Sequence, residues 1–147
     1  MLDLNSRRLP FLAVAALGCF LIGVSAFLPW FVEPDGSGPN AFALPLSILF
    51  GSVENAFAGA GPISIGYVLL AFGILGLLTL PVRRVQLVGT AVGLLALMCA
   101  TDYALQMLRS SDFQSFVYQT FGLSIPMAML GGLLMIAGTS FAEFRRR

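Results

Sequence analysis

Four long apolar stretches, separated by short polar breaks, dominate the hydropathy pattern of the chain. They run over about residues 9–29, 62–80, 86–106 and 123–142. A helix needs about 20 apolar residues to cross a bilayer, and each stretch is close to that length. The pattern therefore predicts an all-α integral membrane protein, a bundle of four transmembrane helices that forms a single domain over residues 1–147.

The polar breaks differ in charge, which predicts how the bundle is oriented. Arginines precede the first stretch, separate the second from the third and follow the fourth, as Arg7, Arg8, Arg83, Arg84 and Arg145 to Arg147. Four crossings bring these groups to one side, whereas the other side holds acidic residues and Arg109. Arginine-rich loops stay in the cytoplasm, so both termini are predicted to be cytoplasmic.

The first outer loop, about residues 30–61, contains an amphipathic segment. In the run PLSILFGSVENAFAG (45–59), apolar side chains recur at helical spacing, at Leu46, Leu49, Phe50, Val53 and Phe57. A proline suits the first turn of a helix and a glycine suits its C-terminal cap, and both are present here. The spacing predicts a short helix that lies in the outer membrane interface or docks on the end of the bundle.

The second outer loop, about residues 107–122, repeats this arrangement. Ser111 and Gln114 form a capping-box pattern, and Gly122 can end a helix. Between them lies an apolar stripe made of Phe113, Phe116, Val117 and Phe121. We interpret the stripe as a second interfacial helix whose aromatic residues contact lipid or a partner protein.

The single tryptophan, Trp30, follows Pro29 where the first apolar stretch meets an acidic loop. One interpretation is an aromatic anchor at the membrane surface, with the proline ending the helix. The alternative is a platform for a partner protein in the outer leaflet, formed by Trp30, Phe50 and Phe57. The sequence leaves both interpretations open.

Small residues indicate where the helices approach one another. The third stretch contains GTAVG, with Gly89 and Gly93 about one helical turn apart, and the fourth has Ala128 and Gly132 at the same spacing. In lipid, helices associate through small residues that let their backbones come close. We predict that these four positions are helix-packing contacts, either within the chain or between two copies of it.

Composition favours a membrane location and restricts the available chemistry. Hydrophobic residues make up 58% of the 147 residues, charged residues make up only 10%, and the mean hydropathy is +0.91. The chain has no histidine, which excludes His-ligated haem, His-ligated chlorophyll and His-containing zinc sites. The same absence excludes Ser-His-Asp and Cys-His catalytic sets. The sequence has no concentrated basic face, so nucleic acid is not expected as a partner.

Asp102 is the one acidic residue inside a predicted span, near the outer end of the third stretch. Ionisable residues within spans often handle protons or ions. The plainer interpretation, which we favour, is a hydrogen-bonding anchor at the membrane surface. Met127 and Met129, with Met107 at the same end of the bundle, could bind Cu(I), but methionine is also ordinary apolar filling.

We expect no enzymatic activity, no metal and no cofactor. The hypothesis is a non-catalytic accessory subunit of a larger membrane complex, of the kind found in respiratory or photosynthetic assemblies. Its partners would be other integral membrane subunits and lipids, with pigments or quinones touching its surface, and a homo-oligomer is also compatible. The alternative is a small oligomeric transporter or channel that uses Asp102. The use of arginine without lysine favours a bacterial plasma membrane.

Overall fold

The computed structural model describes residues 9–30, 32, 38–50, 63–82, 86–109 and 122–144. Within these residues there are four α-helices: α1 is Leu9–Ser25, α2 is Ile65–Thr79, α3 is Gln86–Arg109 and α4 is Ser124–Phe144. A 3₁₀ helix, Leu46–Phe50, lies between α1 and α2 along the chain. The described part of the chain contains two isolated β-bridges and no β-strand. The prediction of an all-α fold with four helices is therefore confirmed.

The four α-helices pack side by side in the order α1, α4, α3, α2, and α2 packs back against α1. The most extensive packing joins the first helix to the last, and α4 also packs along the length of α3. Helix α2 has smaller contacts with its two neighbours, and α1 and α3 barely touch across the bundle. Helix α4 is thus the element against which both α1 and α3 are assembled.

Met135 of α4 fills the centre of the bundle. Its side chain is fully buried, and the thiol of Cys19 in α1 donates to its sulfur atom at 3.6 Å. A Cβ atom on Gly76 of α2 would lie 2.6 Å from Met135 Cε, and one on Gly89 of α3 would lie 3.6 Å from it. The flexible thioether of Met135 therefore contacts all three other helices and fills the centre of the bundle at this level.

Glycines bring α1 and α4 into backbone contact. A Cβ atom on Gly18 would lie 2.5 Å from the carbonyl oxygen of Gly131 and 2.7 Å from the amide nitrogen of Met135. Further along the same pair of helices, a Cβ atom on Gly138 would lie 2.6 Å from the amide nitrogen of Ala15. A larger residue at Gly18 or Gly138 would have to push the two helices apart.

Helices α3 and α4 approach each other in the same way. A Cβ atom on Gly132 would lie 2.8 Å from the carbonyl oxygen of Gly93, and one on Gly93 would lie 3.1 Å from the carbonyl oxygen of Gly132. Further along these helices, Thr139 Oγ1 donates to the carbonyl oxygen of Met135 at 2.7 Å. The hydroxyl of Thr90 lies 2.8 Å from Thr139 Oγ1 and can donate to it, so a polar bond joins the helices beside the glycine contact.

The bundle end opposite Thr139 is closed by non-helical chain, and we call it the Trp30 end: residues 26–30, 38–50, 63–64 and 122–123. The amide of Ala41 donates to the carbonyl oxygen of Ala26 at 3.2 Å. The amide of Leu46 donates to the carbonyl oxygen of Ile63 at 3.0 Å. These bonds pair backbone groups that no helix can satisfy.

The amphipathic segment of the first outer loop differs in part from the prediction. Where an α-helix was expected to begin, Leu46–Phe50 forms a five-residue 3₁₀ helix that packs on the core through Leu46 and Leu49. A backbone bridge between Pro45 and Ser64 ties its start to the beginning of α2, and 3₁₀ helices are short because their hydrogen bonds are poorly aligned. The rest of both predicted outer helices, residues 51–59 and 111–121, lies outside the described residues, as do the arginines at 7–8, 83–84 and 145–147.

Two helices contain segments long and apolar enough to cross a membrane, Leu87–Gln106 within α3 and Ser124–Ala142 within α4. Helices α1 and α2 are also apolar but have only 17 and 15 residues. At 1.5 Å per residue they are about 25 and 22 Å long. Their parent stretches in the sequence continue beyond the helices into the Trp30 end.

Gly18→Ala and Gly23→Ala form a matched pair within α1. A Cβ atom on Gly23 would meet no atom within 4 Å, whereas one on Gly18 would meet the backbone of α4. We expect Gly18→Ala to lower the free energy of unfolding by about 1–3 kcal/mol through overpacking. Gly23→Ala should leave it unchanged or raise it by about 0.5–1 kcal/mol, because alanine favours a helix. Unfolding in detergent, followed by circular dichroism, measures both, and equal effects would contradict the contact.

Candidate functional site

The two largest fully buried side chains in the described part of the chain, Trp30 and Tyr103, pack against each other. Their ring centroids are 4.7 Å apart and their planes cross at 89°, the edge-to-face arrangement that aromatic pairs favour. Trp30 comes from the segment after α1, and Tyr103 comes from α3. The pair therefore joins the Trp30 end to the helices beneath it.

Trp30 reaches this position because the chain leaves the helical conformation early. Helix α1 ends at Ser25, and Pro29 disfavours a helical backbone at Leu28. The chain then turns back over the end of the bundle, and Trp30 Nε1 donates to the carbonyl oxygen of Ser25 at 3.0 Å. The indole is thus anchored to the last residue of the helix that precedes it.

Backbone hydrogen bonds hold the Trp30 segment from two sides. The Trp30 amide donates to the carbonyl oxygen of Pro39 at 3.0 Å, and the Trp30 carbonyl accepts from the Gly122 amide at 3.0 Å. Ser124 Oγ, at the start of α4, donates to the carbonyl oxygen of Pro29. A Cβ atom on Gly122 would overlap that same carbonyl, so a glycine is required there. Helix α4 therefore begins in direct contact with the Trp30 segment.

The hydroxyl of Tyr103 is buried and has no hydrogen-bond partner among the described residues. The hydroxyl of Ser64, just before α2, is in the same situation. A buried hydroxyl without a partner costs about 1–3 kcal/mol. The packing of the Tyr103 ring against Trp30 therefore accounts for its burial, and hydrogen bonding within the described chain does not.

A second aromatic series lies on the surface of the Trp30 end. The ring centroids of Phe27 and Phe42 are 5.1 Å apart, and those of Phe42 and Tyr67 are 5.3 Å apart. Phe27 is 59% exposed and Tyr67 is 61% exposed. We call these three residues the aromatic rim, and it lies where α1 ends and α2 begins.

The environment of Trp30 differs from both interpretations of the sequence. Its side chain has no exposed surface, so the ring offers no area to lipid or to a partner protein. Phe50 belongs to the 3₁₀ helix. The remaining predicted contact residues lie outside the described part of the chain: Phe57, Phe113, Phe116 and Phe121. The exposed aromatic surface that the structure describes at this end is the aromatic rim.

Asp102 is half-buried on α3, next to Tyr103 in the sequence. Successive residues point about 100° apart around a helix, so Asp102 and Tyr103 lie on different faces of α3. Met127 and Met129 are half-buried near the start of α4, and Met129 packs against the core. Within the described residues, no three or more Cys, Asp or Glu side chains are grouped to hold a metal ion.

The four residues predicted as helix-packing contacts lie on the facing surfaces of α3 and α4. Gly93 and Gly132 contact each other, as described above. A Cβ atom on Gly89 would lie 3.0 Å from Thr139 Cγ2, and Ala128 is fully buried. In the described chain, these positions are therefore turned towards neighbouring helices of the same molecule.

Sequence reasoning missed the closest helix contact, which involves Gly18, Gly131 and Gly138. The adjacent glycines Gly131 and Gly132 were the available signal. Because neighbouring residues on a helix face different directions, such a pair lets one helix approach two others, and here Gly131 faces α1 while Gly132 faces α3.

Comparison with known proteins assigns no family to the chain. No family model, no curated protein and no solved structure matches the chain.

Tyr103→Phe and Trp30→Ala separate the two contributions to the buried aromatic pair. Tyr103→Phe removes a hydroxyl without a partner in the described chain, so the free energy of unfolding should stay unchanged or rise by up to about 1 kcal/mol. Trp30→Ala should lower it by about 3–5 kcal/mol, because it empties a packed site and removes the bond to Ser25. Thermal unfolding followed by circular dichroism measures both.

Tyr67→Phe is the matched control, because it removes a hydroxyl from an exposed ring. It should leave the unfolding transition in place. If Tyr103→Phe lowers the free energy of unfolding by more than about 1 kcal/mol while Tyr67→Phe does not, the Tyr103 hydroxyl has a partner and our explanation of its burial is wrong.

Proposed function

We propose that the chain crosses a bacterial plasma membrane four times, with both termini in the cytoplasm, and acts as a non-catalytic subunit of a larger membrane assembly. Its role is to pack laterally against other integral membrane proteins. The observation that carries this proposal is the distribution of side-chain size across the bundle, with small residues inside and large apolar residues outside.

The inward faces of the helices are built largely from small residues. Buried examples occur on every helix: Ala15, Gly18, Cys19, Ser25, Gly73, Gly76, Ala96, Ala100, Ala128 and Thr139. In water, a helix bundle gains its stability by burying large apolar side chains. In lipid that gain is absent, and close approach of the backbones at small residues takes its place. The interior therefore supports a bundle that assembles in lipid.

The outward faces carry the large apolar side chains. They include Leu17, Phe20, Ile74, Leu78, Leu87, Leu94, Met98, Leu130, Leu133 and Phe141, with exposed fractions that reach 72% at Leu87. In water, each exposed Å² of this surface would cost about 25 cal/mol, and contiguous apolar patches larger than a few hundred Å² are rare on soluble monomers. A bilayer removes the cost on all four sides at once.

The Trp30 end supports placement at the edge of the hydrocarbon layer. The helical parts of α1 and α2 are shorter than the roughly 30 Å hydrocarbon core, so the non-helical chain that adjoins them must lie close to the edge of that layer. Such chain is tolerated at membrane depth where protein surrounds it and its polar groups are paired. The amide and carbonyl of Trp30 are both hydrogen-bonded, and the exposed aromatic rim suits the headgroup level.

The packed centre favours a subunit role over the transporter alternative. Met135 and Cys19 fill the axis of the bundle, and a transporter needs a polar path through or beside the protein. For Asp102 to serve such a path, the path would have to lie between copies of the chain. The outward faces of the helices are broad and apolar, and they can pack against lipid and against other transmembrane helices.

Membrane topology is tested by labelling single cysteines with a membrane-impermeant maleimide. In a background of Cys19→Ala and Cys99→Ala, we expect Ser52→Cys and Ser110→Cys to react in intact cells, because both lie on the predicted outer side. Val85→Cys, beside Arg84, should react after permeabilisation alone. Labelling of Val85→Cys in intact cells, or recovery of the chain in the soluble fraction, would refute the four-span arrangement.

The subunit role is tested by gentle detergent extraction followed by native-gel separation and mass analysis. We expect the chain to migrate with larger, non-identical membrane proteins. Four variants, Leu17→Ala, Leu78→Ala, Leu94→Ala and Leu133→Ala, each remove one exposed side chain from a different helix. Partner recovery should fall for the helix that faces the partner and stay unchanged for the others.

The aromatic stripe of the second outer loop provides a further arm of this experiment. Combined substitution of Phe113, Phe116 and Phe121 by serine should lower partner recovery if the stripe forms part of the interface. Recovery of the wild-type chain solely as a monomer or homo-oligomer would overturn the subunit proposal. A homo-oligomer that conducts ions and loses conduction on Asp102→Asn would establish the transporter alternative instead.

A further inference from the structure

We propose that the groove between α1 and α2 binds one acyl chain of a membrane phospholipid. The inference rests on the membrane placement proposed above and adds a specific ligand site to it. The groove has a volume of about 230 Å³, and only apolar side chains and glycines line it. Its walls are formed chiefly by Phe20, Phe27, Ile74 and Leu77.

The floor of the groove is formed by glycines. A Cβ atom on Gly73 would lie 3.0 Å from the carbonyl oxygen of Cys19, so α1 and α2 are in close contact at this point. On the other side of the floor, a Cβ atom on Gly23 would meet nothing within 4 Å. Gly23 thus leaves a space that the chain itself does not fill.

The size of the groove fits a segment of a single hydrocarbon chain. Along α2 the lining runs from Leu70 to Leu77, seven helical steps or about 10.5 Å. A dry apolar cavity of about 150 Å³ holds one benzene molecule, so the groove suits a ligand only slightly bulkier than that. An extended acyl chain meets this requirement.

The position of the groove favours a phospholipid anchored at the Trp30 end. Its upper limit, Leu70, lies three residues below Tyr67 of the aromatic rim. From Tyr67 to Leu77 is ten residues, about 15 Å, which equals half of the roughly 30 Å hydrocarbon thickness. Aromatic residues such as Tyr67 concentrate at headgroup level. A lipid with its headgroup beside the rim would therefore place one tail along the groove within a single leaflet.

The site is tested by native mass spectrometry of the full chain extracted in mild detergent and titrated with dioleoyl-phosphatidylglycerol. We expect the wild-type chain to retain one bound lipid. Gly23→Phe fills the open floor and should reduce the bound fraction at least tenfold. Leu133→Phe, which enlarges an exposed residue on α4, should retain the lipid as the wild type does.

Circular dichroism checks that Gly23→Phe is folded. If it is not, Ile74→Ser replaces it, because Ile74 is a half-exposed wall residue whose change leaves the helix contacts in place. Equal lipid retention in the wild type and the groove variant would overturn the inference, as would a wild type that binds no lipid. A dimer that the groove variant abolishes, without a lipid adduct, would assign the groove to a second copy and also overturn it.

The same samples keep this inference separate from the proposed function. Alkaline extraction of the membranes and partner recovery are measured in parallel with lipid retention. A wild-type chain that binds no lipid, yet resists alkaline extraction and recovers its partners, refutes the acyl-chain site alone. Release of the wild-type chain by alkaline extraction refutes the membrane placement, on which both proposals depend.

Discussion

The backbone contact between α1 and α4 is the constraint on which the rest of the structure depends. At Gly18 and Gly131 no side chain separates the two helices, so they lie as close as their backbones allow. This approach leaves room at the centre for one flexible side chain, Met135, which completes the packing against α2 and α3. Because small residues occupy the inward faces, the large apolar side chains face outward. The outer surface is thus a consequence of how closely the interior is packed.

The Trp30 end extends the same contact beyond the helices. Helix α4 begins at Ser124, whose hydroxyl donates to the carbonyl of Pro29, and the preceding Gly122 pairs with Trp30. The end of α1 and the start of α4 are therefore joined by polar bonds where the glycine contact stops. Trp30 and Tyr103 fill the space between these segments and α3. The aromatic rim and the groove beneath it adjoin this hydrogen-bonded end.

The sequence predicts the elements of this fold better than its contacts. Four apolar runs bounded by polar breaks are local signals, and they correspond to the four observed helices. The burial of Trp30 could not be predicted, because it depends on the early end of α1 and on Tyr103, which is distant along the chain. The contact of Gly18 with α4 could not be predicted for a different reason. Gly18 and Gly23 are five residues apart and do not share a helix face, so no motif marked the one that contacts α4.

The pairing of the first helix with the last has a consequence for how the chain is made. Gly131 follows Gly18 by 131 − 18 = 113 residues. At a synthesis rate of about 5–20 residues per second, the ribosome needs roughly 6–23 s to produce the partner of α1. Throughout that interval the segment LPFLAVAALGCFLIGVS, which contains no charged residue, is without its main neighbour. Synthesis thus passes through a stage in which the first helix has been made and its main neighbour has not.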